Sequence, residues 1–260
     1  MAEINTKISM QGTFELPSQG KIYSKEAGIP EKITLRAMTT AEQKLRLRNA
    51  SNIEIMRNIL QACIVSDKEI DINNMKVYDA KYLFFQLRVL STLREDYVIE
   101  LTCPTCGARF TNTINLKEVP IIKDSEKVVE PLVFTLPASG DEIGIKFLTL
   151  QENIDLSNSI VKLAKQFPNT SAVELAYVPT LAKMISTVNG QELVGIEKEQ
   201  YVEALHFADQ DELGYQIKEL ESKAGVIQEC WCKCPACGEE ISHEIPITNE
   251  FFSPSRKRTK

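Results

Sequence analysis

Histidine, tryptophan and the motifs of common enzyme classes are scarce or missing in this sequence of 260 residues, which has one tryptophan. His206 and His243 are its two histidines, so acid–base or metal catalysis by imidazole has little to work with. We find no P-loop, no G-x-G-x-x-G, no nucleophile elbow and no H-E-x-x-H motif. These absences predict that the protein is not an enzyme and has no small-molecule substrate.

Long apolar runs and a positive net charge are missing as well. No stretch approaches the roughly 18 apolar residues of a membrane span, and the N-terminus lacks the features of a secretory signal. The net charge of −6 gives no overall basic field, so nucleic acid is not an expected partner. We therefore expect a cytosolic, reducing origin, where closely spaced cysteines hold metal more often than they form disulfides.

Three landmarks of the sequence occur twice, in the same order. FELPSQG at 14–20 returns as FTLPASG at 134–140, and CPTCG at 103–107 returns as CPACG at 234–238. Between them, ITLRAMTTAEQ from residue 33 is echoed by IGIKFLTLQEN from residue 143. The shared order predicts an internal duplication. We expect a first copy at 1–118, a linker at 119–131, a second copy at 132–250 and a basic tail at 251–260.

Within each copy, helical sequence is bounded by β-like sequence. The Thr39-x-x-Glu42 spacing predicts a helix start that continues through AEQKLRLRNA, and Asp209-x-x-Glu212 predicts another. A hairpin is expected around residues 139–140, and each cysteine motif lies between two strand-like segments. The predicted fold class is α+β, internally duplicated, with each half a β-hairpin plus helices ending in a two-stranded C-P-x-C-G zinc-knuckle ribbon.

The two C-P-x-C-G motifs each supply half of a four-cysteine zinc site. Two thiolates separated by two residues can face one ion, and a closed structural zinc site has four protein ligands. The proposed ligands of one structural Zn²⁺ per chain are Cys103, Cys106, Cys234 and Cys237. A thioredoxin-like redox pair or a disulfide is the first alternative, and thiols without a remaining role are the second.

The other cysteines have the pattern of core residues. Cys230 and Cys232 lie 131 residues after Ile99 and Leu101, which are apolar residues at alternating positions of a predicted strand. We therefore expect both thiols to face the core, and Trp231 to lie on the opposite face of the strand. His243 corresponds to an asparagine in the first copy, and Cys63 lies in an apolar helical run.

The C-terminus combines aromatic and basic residues. Phe251 and Phe252 are expected to anchor the tail to its own domain or to a partner. After them, SPSRKRTK has the composition of a solvated terminus, although such a run can also touch nucleic acid or an acidic protein surface.

The sequence resembles the baseplate hub and hub-assembly proteins of T-even-like contractile-tailed phages, which are myoviruses. The resemblance rests on FELPSQGKIY, ITLRAMTTAEQ and YVIELTCPTCG, and its matching positions are Leu16, Pro17, Gly20, Tyr23, Thr39 and Glu42. It implies a non-enzymatic structural or assembly protein whose partners are other baseplate hub or tail proteins. It also implies assembly in the host cytoplasm and a place in the tail baseplate of the virion.

Two alternative functions remain open at this stage. A nucleic-acid-binding zinc ribbon would have basic and aromatic residues around its knuckles. The flanking residues here are mixed, with Arg109 and Phe110 after the first motif and Glu239 and Glu240 after the second. The other alternative is a chaperone for a long tail protein, which would be absent from the mature particle.

Overall fold

The computed structural model describes residues 10–47, 50–123, 130–247 and 249–252. Within them the chain has seven α-helices and five small antiparallel sheets, which confirms the α+β class. The helices are α1 (Thr40–Gln43), α2 (Asn52–Cys63), α3 (Val77–Thr92), α4 (Leu150–Gln166), α5 (Ala172–Met184), α6 (Ile196–Ala204) and α7 (Phe207–Glu221). The strands are β1 (Gln11–Glu15), β2 (Lys32–Arg36), β3 (Ile64–Val65), β4 (Asp96–Thr102), β5 (Arg109–Asn115), β6 (Ile121–Lys123), β7 (Leu132–Thr135), β8 (Glu142–Ile145), β9 (Ile185–Val188), β10 (Ala224–Val226), β11 (Glu229–Lys233) and β12 (Glu240–Glu244).

Each half opens with a three-stranded sheet whose third strand continues directly from a helix. In the first half β1 pairs with β2, and β3, which follows α2 without a break, pairs Ile64 with Leu35. In the second half β7 pairs with β8, and β9, which follows α5, pairs Ile185 with Ile145. Leu35, Ile145 and Ile185 are buried and Ile64 is half-buried, so the register places an apolar layer on the core side of both sheets. The predicted hairpin around residues 139–140 is confirmed.

The helix after each hairpin begins with a capping box, but the two helices differ in length. Thr39 and Glu42 form the box of α1, as predicted, and Thr149 and Glu152 form the box of α4. The prediction that the first helix continues through residue 50 is wrong, because α1 ends at Gln43 and a 3-10 segment follows at Lys44–Leu47. The N–H of Lys44 is shared between two carbonyls, which tightens the last turn.

The start of α7 also differs from the prediction. The helix begins at Phe207, and Nδ1 of His206 accepts the N–H of Ala208 as the N-cap. Asp209, predicted as the first capping residue, is the third residue of the helix, where its carboxylate binds the loop at residues 138–139. The Asp209 side chain therefore binds this loop instead of capping the helix, and His206 is the N-cap in its place.

Two hydrophobic cores form, and each takes residues from both halves. The first core, built around α2 and α3, includes Leu150 and the C-terminal pair Phe251 and Phe252. The second core, built around β8, β9, α5 and α7, includes Tyr78 of α3. The predicted linker contributes β6, which pairs with β10 of the second half. That segment is therefore part of a sheet, and the two halves interlock.

Candidate metal centre

The two cysteine motifs form turns of the same conformation at the tips of two β-ribbons. In the first ribbon, β4 and β5 flank a turn in which the N–H of Gly107 donates to the carbonyl of Cys103 over 2.9 Å. In the second, β11 and β12 flank a turn in which the N–H of Gly238 donates to the carbonyl of Cys234 over 2.9 Å. Both glycines have positive φ, 71° and 79°, which is why glycine ends each motif.

The ribbons meet tip to tip and bring the four predicted ligands together. Sγ of Cys103 lies 3.7 Å from Sγ of Cys237, and Sγ of Cys106 lies 3.7 Å from Sγ of Cys234. All four sulfurs lie within 4.8 Å of one another. In the part of the chain that the structure describes, this is the one group of three or more such side chains close enough to share a metal ion.

The sulfur positions fit a tetrahedral zinc ion and do not fit disulfides. Four sulfurs bound at about 2.3 Å from one zinc ion lie about 3.8 Å apart, close to the 3.7 Å of the two contacts between the motifs. A disulfide requires about 2.05 Å, and all four cysteines are free. The motifs lie between strands, not at the helix N-terminus typical of a thioredoxin-like pair.

Local hydrogen bonds and neighbouring sulfurs shift the thiol pKa values in opposite directions. The backbone N–H of Cys106 donates to the Cys103 sulfur and lowers the pKa of that thiol to about 7. The backbone N–H of Glu239 lowers the pKa of Cys237, but the surrounding sulfurs outweigh it and raise that pKa to about 12. Four thiolates this close repel one another, so all four ionise together only with a cation between them.

A small apolar cluster lies behind the thiols. Cys103 and Cys234 are buried with Ile241, and Phe110 and Cys232 pack against them. The first cysteine of each pair is therefore held by the ribbon, while Cys106 and Cys237 are exposed at the tip. With four protein sulfurs in place, such a site leaves no open position for a substrate or a water ligand.

The remaining cysteines lie where the sequence predicted. Cys230 packs against the first hydrophobic core, and burial raises the pKa of its thiol. Burial likewise raises the pKa of Cys63, to about 12, in α2. Trp231 is 66% exposed on the opposite face of β11.

His243 has a partner that the sequence comparison did not suggest. Its Nε2 lies 3.1 Å from Nδ2 of Asn112, the residue at the same position of the first ribbon. The comparison aligned these two residues but gave no sign that they touch. Sequence alone has no signal for a contact between a residue and its own equivalent.

Sequence reasoning also missed two buried aspartates that hold the loops after β1 and β7. Asp79 of α3 accepts the N–H of Ser18 over 3.0 Å and the hydroxyl of Tyr23 over 2.6 Å. Asp209 of α7 accepts the N–H groups of Ala138 and Ser139 over 2.7 and 3.0 Å. Each aspartate is the third residue of its helix, and this shared position in the two halves could have indicated a shared role.

The two aspartates differ in their pKa shifts. Burial raises the pKa of Asp79 to about 6, because its hydrogen bonds only partly offset the loss of hydration. For Asp209, burial acts to raise the pKa, but the hydrogen bonds from the backbone N–H groups of Ala138 and Ser139 outweigh burial, so the pKa lies below its usual value.

The loop after β1 is buried around Leu16 and Ser18, so it is not a free contact surface.

Two further observations bear on the class of protein. No helix among the described residues is long and apolar enough to cross a membrane. A family model described as T4 bacteriophage base plate protein matches residues 9–253, which is nearly the whole chain. Searches of curated proteins and of solved structures give no match.

Proposed function

The chain belongs to the T4 bacteriophage base plate protein family, and on this premise we propose that it acts in the tail baseplate hub as a non-enzymatic structural or assembly protein. Its partners are then other hub or tail proteins. It would act in the host cytoplasm during assembly and, as a hub component, would be retained in the virion tail. The family match supports the baseplate role, and the closed cysteine cluster supports a structural role over a catalytic one.

The observation that carries the structural role is the meeting of two distant cysteine pairs. Cys103 and Cys106 belong to the first ribbon, and Cys234 and Cys237 belong to the second. These four residues would hold one Zn²⁺, which would neutralise the thiolates and join the ribbons. Since about 130 residues separate the pairs, the ion would close a very long loop and fix one half against the other.

We also propose that the halves are copies of one ancestral unit. Equivalent residues make equivalent contacts, since Arg36 binds Glu42 over 2.7 Å and Lys146 binds Glu152 over 2.5 Å. Both glutamates also close the capping box of the helix that follows the hairpin. Two proteins of the same fold class do not need to share an ion pair and a capping box at equivalent positions. It supports common descent of the halves.

A nucleic-acid-binding zinc ribbon is not favoured by the surface around the second knuckle. Glu229, Glu239, Glu240 and Glu244 are exposed there, and their charge repels phosphate. The single basic side chain of β11, Lys233, is paired with Glu240 over 3.3 Å.

Deletion of the gene from the phage tests the baseplate role. We expect that the phage without this protein makes no complete baseplates and that the wild-type protein supplied in trans restores them. Normal, infectious particles from the deletion would contradict the proposal. Mass spectrometry of wild-type particles then separates a retained hub component from an assembly factor or chaperone that leaves before maturation.

A further inference from the structure

The only tryptophan of the chain lies exposed on a β-ribbon that does not need it for packing. Trp231 is 66% exposed, whereas its neighbours Cys230 and Cys232 face inward. The first ribbon carries Glu100 at the same distance before its knuckle. A ribbon of this kind therefore accepts a charged residue at this position, and the large aromatic side chain has another role.

The face around Trp231 is acidic. The alternation of β11 and β12 places Glu229, Lys233, Glu240, Ser242 and Glu244 on the same exposed face. Lys233 is paired with Glu240 and Lys81 of α3 lies near Glu244, so three carboxylates against two ammonium groups leave the face a small negative surplus. The equivalent face of the first ribbon has Arg109, Thr111 and Thr113 in its second strand and no aromatic residue. Only the second ribbon joins an exposed indole to a row of carboxylates.

We propose that this face binds the basic C-terminal segment of the same chain, residues 253–260. The segment, which lies outside the described residues, carries Arg256, Lys257, Arg258 and Lys260. A guanidinium or ammonium group stacks on an indole face, and nearby carboxylates add charge-assisted hydrogen bonds. Indole and carboxylates together match a segment with four cations and no acidic residue.

The end of the described chain and the second ribbon pack against the same hydrophobic core. Phe251 and Phe252 are buried in the first hydrophobic core, and Cys230, the neighbour of Trp231, packs against the same core. The segment therefore starts from the core on which the second ribbon rests. Eight extended residues span about 27 Å, several times the spacing of neighbouring elements around one core.

Fluorescence of the single tryptophan tests this directly, because no other indole contributes. The full chain is compared with a chain that ends at Phe252, using quenching by acrylamide, which is uncharged. A stacked guanidinium covers one of the two ring faces, so we expect the quenching constant to rise about twofold on truncation. Addition of the peptide SPSRKRTK to the truncated chain should restore the lower value.

Matched variants separate this contact from a general change in the protein. In the full chain, Glu240→Gln together with Glu244→Gln should raise the quenching constant as truncation does, whereas Glu100→Gln on the first ribbon should not. Unchanged circular dichroism and melting temperature confirm that the truncated chain is folded. Equal quenching of full-length and truncated chains overturns the proposal. Protection that grows with protein concentration also overturns it, since the segment would then come from a second copy. None of these outcomes depends on a baseplate role.

Discussion

Nδ2 of Asn112 donates a hydrogen bond to Nε2 of His243 over 3.1 Å, and the two residues hold the same position in the two ribbons. The amide nitrogen of Asn112 can only donate, so Nε2 accepts and is unprotonated, and Nδ1 lies 2.9 Å from the carbonyl of Cys230, which can only accept. Nδ1 therefore carries the proton, and the imidazole is neutral. This pair and the cysteines are two separate connections between the ribbons.

The cysteine contacts show the same reciprocity. The first cysteine of each motif lies against the second cysteine of the other, with Cys103 near Cys237 and Cys234 near Cys106. An isologous interface around a twofold axis has this pattern: the first cysteine of each ribbon contacts the second cysteine of the other, and Asn112 contacts His243 at the same position of the other ribbon. The two ribbons thus pack as identical subunits would, within one chain. This symmetry favours one shared ion over two separate ones.

We expect one zinc ion per purified chain, and equal damage from loss of either half of the site. Cys103→Ser and Cys234→Ser should each lower the free energy of unfolding by about 4 kcal/mol or more, as loss of a structural metal does. Elemental analysis and urea unfolding measure the two effects. Chelation should destabilise the wild-type protein in the same way, and added zinc should reverse it.

Cys230→Ala is the matched control for these variants. Cys230 contributes packing only, so its loss should cost about 1 kcal/mol and leave the zinc content unchanged. Two ions per chain, or a loss of zinc in this control, would contradict the shared site.

Asp79 should make the protein more stable as the solution is acidified from pH 6.5 to 4. Its pKa is about 6 in the folded chain and near 3.8 in the unfolded chain, so the folded state holds the proton more tightly. This contribution is fully present below about pH 3.8 and is lost as the pH rises through 6. Asp79→Asn should remove about 3 kcal/mol of pH dependence in that interval, measured by urea unfolding.

Asp209→Asn is the control, because the pKa shift of Asp209 has the opposite sign. A lowered pKa stabilises the folded chain above the usual value near 3.8, and this stabilisation is lost as the pH falls. Asp209→Asn should therefore flatten the acid side of the profile and leave the interval from pH 4 to 6.5 unchanged. Parallel profiles for the two variants would show that their carboxylates have similar environments.

The residues that sequence predicted best are those whose signals are local and repeated. The four cysteines combine C-x-x-C spacing with a second copy of the motif, so the meeting of the two pairs could be predicted, while their binding of a metal stays a prediction. The capping box at Thr39 and the hairpin around residues 139–140 have equally local signals. Each prediction needed only a few neighbouring residues.

The parts that sequence did not predict depend on distant contacts. Asp79 and Asp209 bind loops about 60 to 70 residues earlier in the chain, and a lone aspartate near a helix start is usually solvated. The short first helix and the exchange of residues between the two cores, such as Leu150 in the first, are also decided by packing. The periodicity of apolar residues indicates which side chains are buried, but it does not indicate which other elements they pack against.

Glu42 should stabilise the protein above pH 4.5. The Arg36 side chain, hydrogen-bonded to Glu42, lowers the pKa of this carboxyl to about 2, so its contribution is lost as the pH falls from 4.5 to 2. Since Arg36 is partly exposed, we expect Glu42→Gln to cost about 2 kcal/mol at pH 7 and almost nothing at pH 2.

Glu152→Gln provides the comparison in the second half. Glu152 and its partner Lys146 are both about a quarter exposed, so water screens this pair more than the first. The loss at pH 7 should be smaller than for Glu42→Gln in the same urea titration. A larger loss at Glu152 would mean that exposure does not set the strength of these two pairs.

Phe251 should be one of the most sensitive positions outside the cysteine cluster, although it lies nine residues from Lys260. Its ring is fully buried against Tyr97, Phe84 and Phe85. It also lies 5.1 Å from the guanidinium of Arg88, whose Nε and Nη1 have no hydrogen-bond partner among the described residues. We expect Phe251→Ala to cost about 4 kcal/mol and lower the melting temperature by about 10 °C.

Phe207 is the matched control, since it is 73% exposed at the start of α7. Phe207→Ala removes the same side chain where little is buried, so its effect should stay within about 0.5 kcal/mol. The chain that ends at Phe252 keeps both buried rings and should melt like the full chain. If Phe251→Ala is no worse than Phe207→Ala, the C-terminal rings do not hold the first core together. If Phe251→Ala alone is severe, the aromatic start of the C-terminal tail completes the core of the first half.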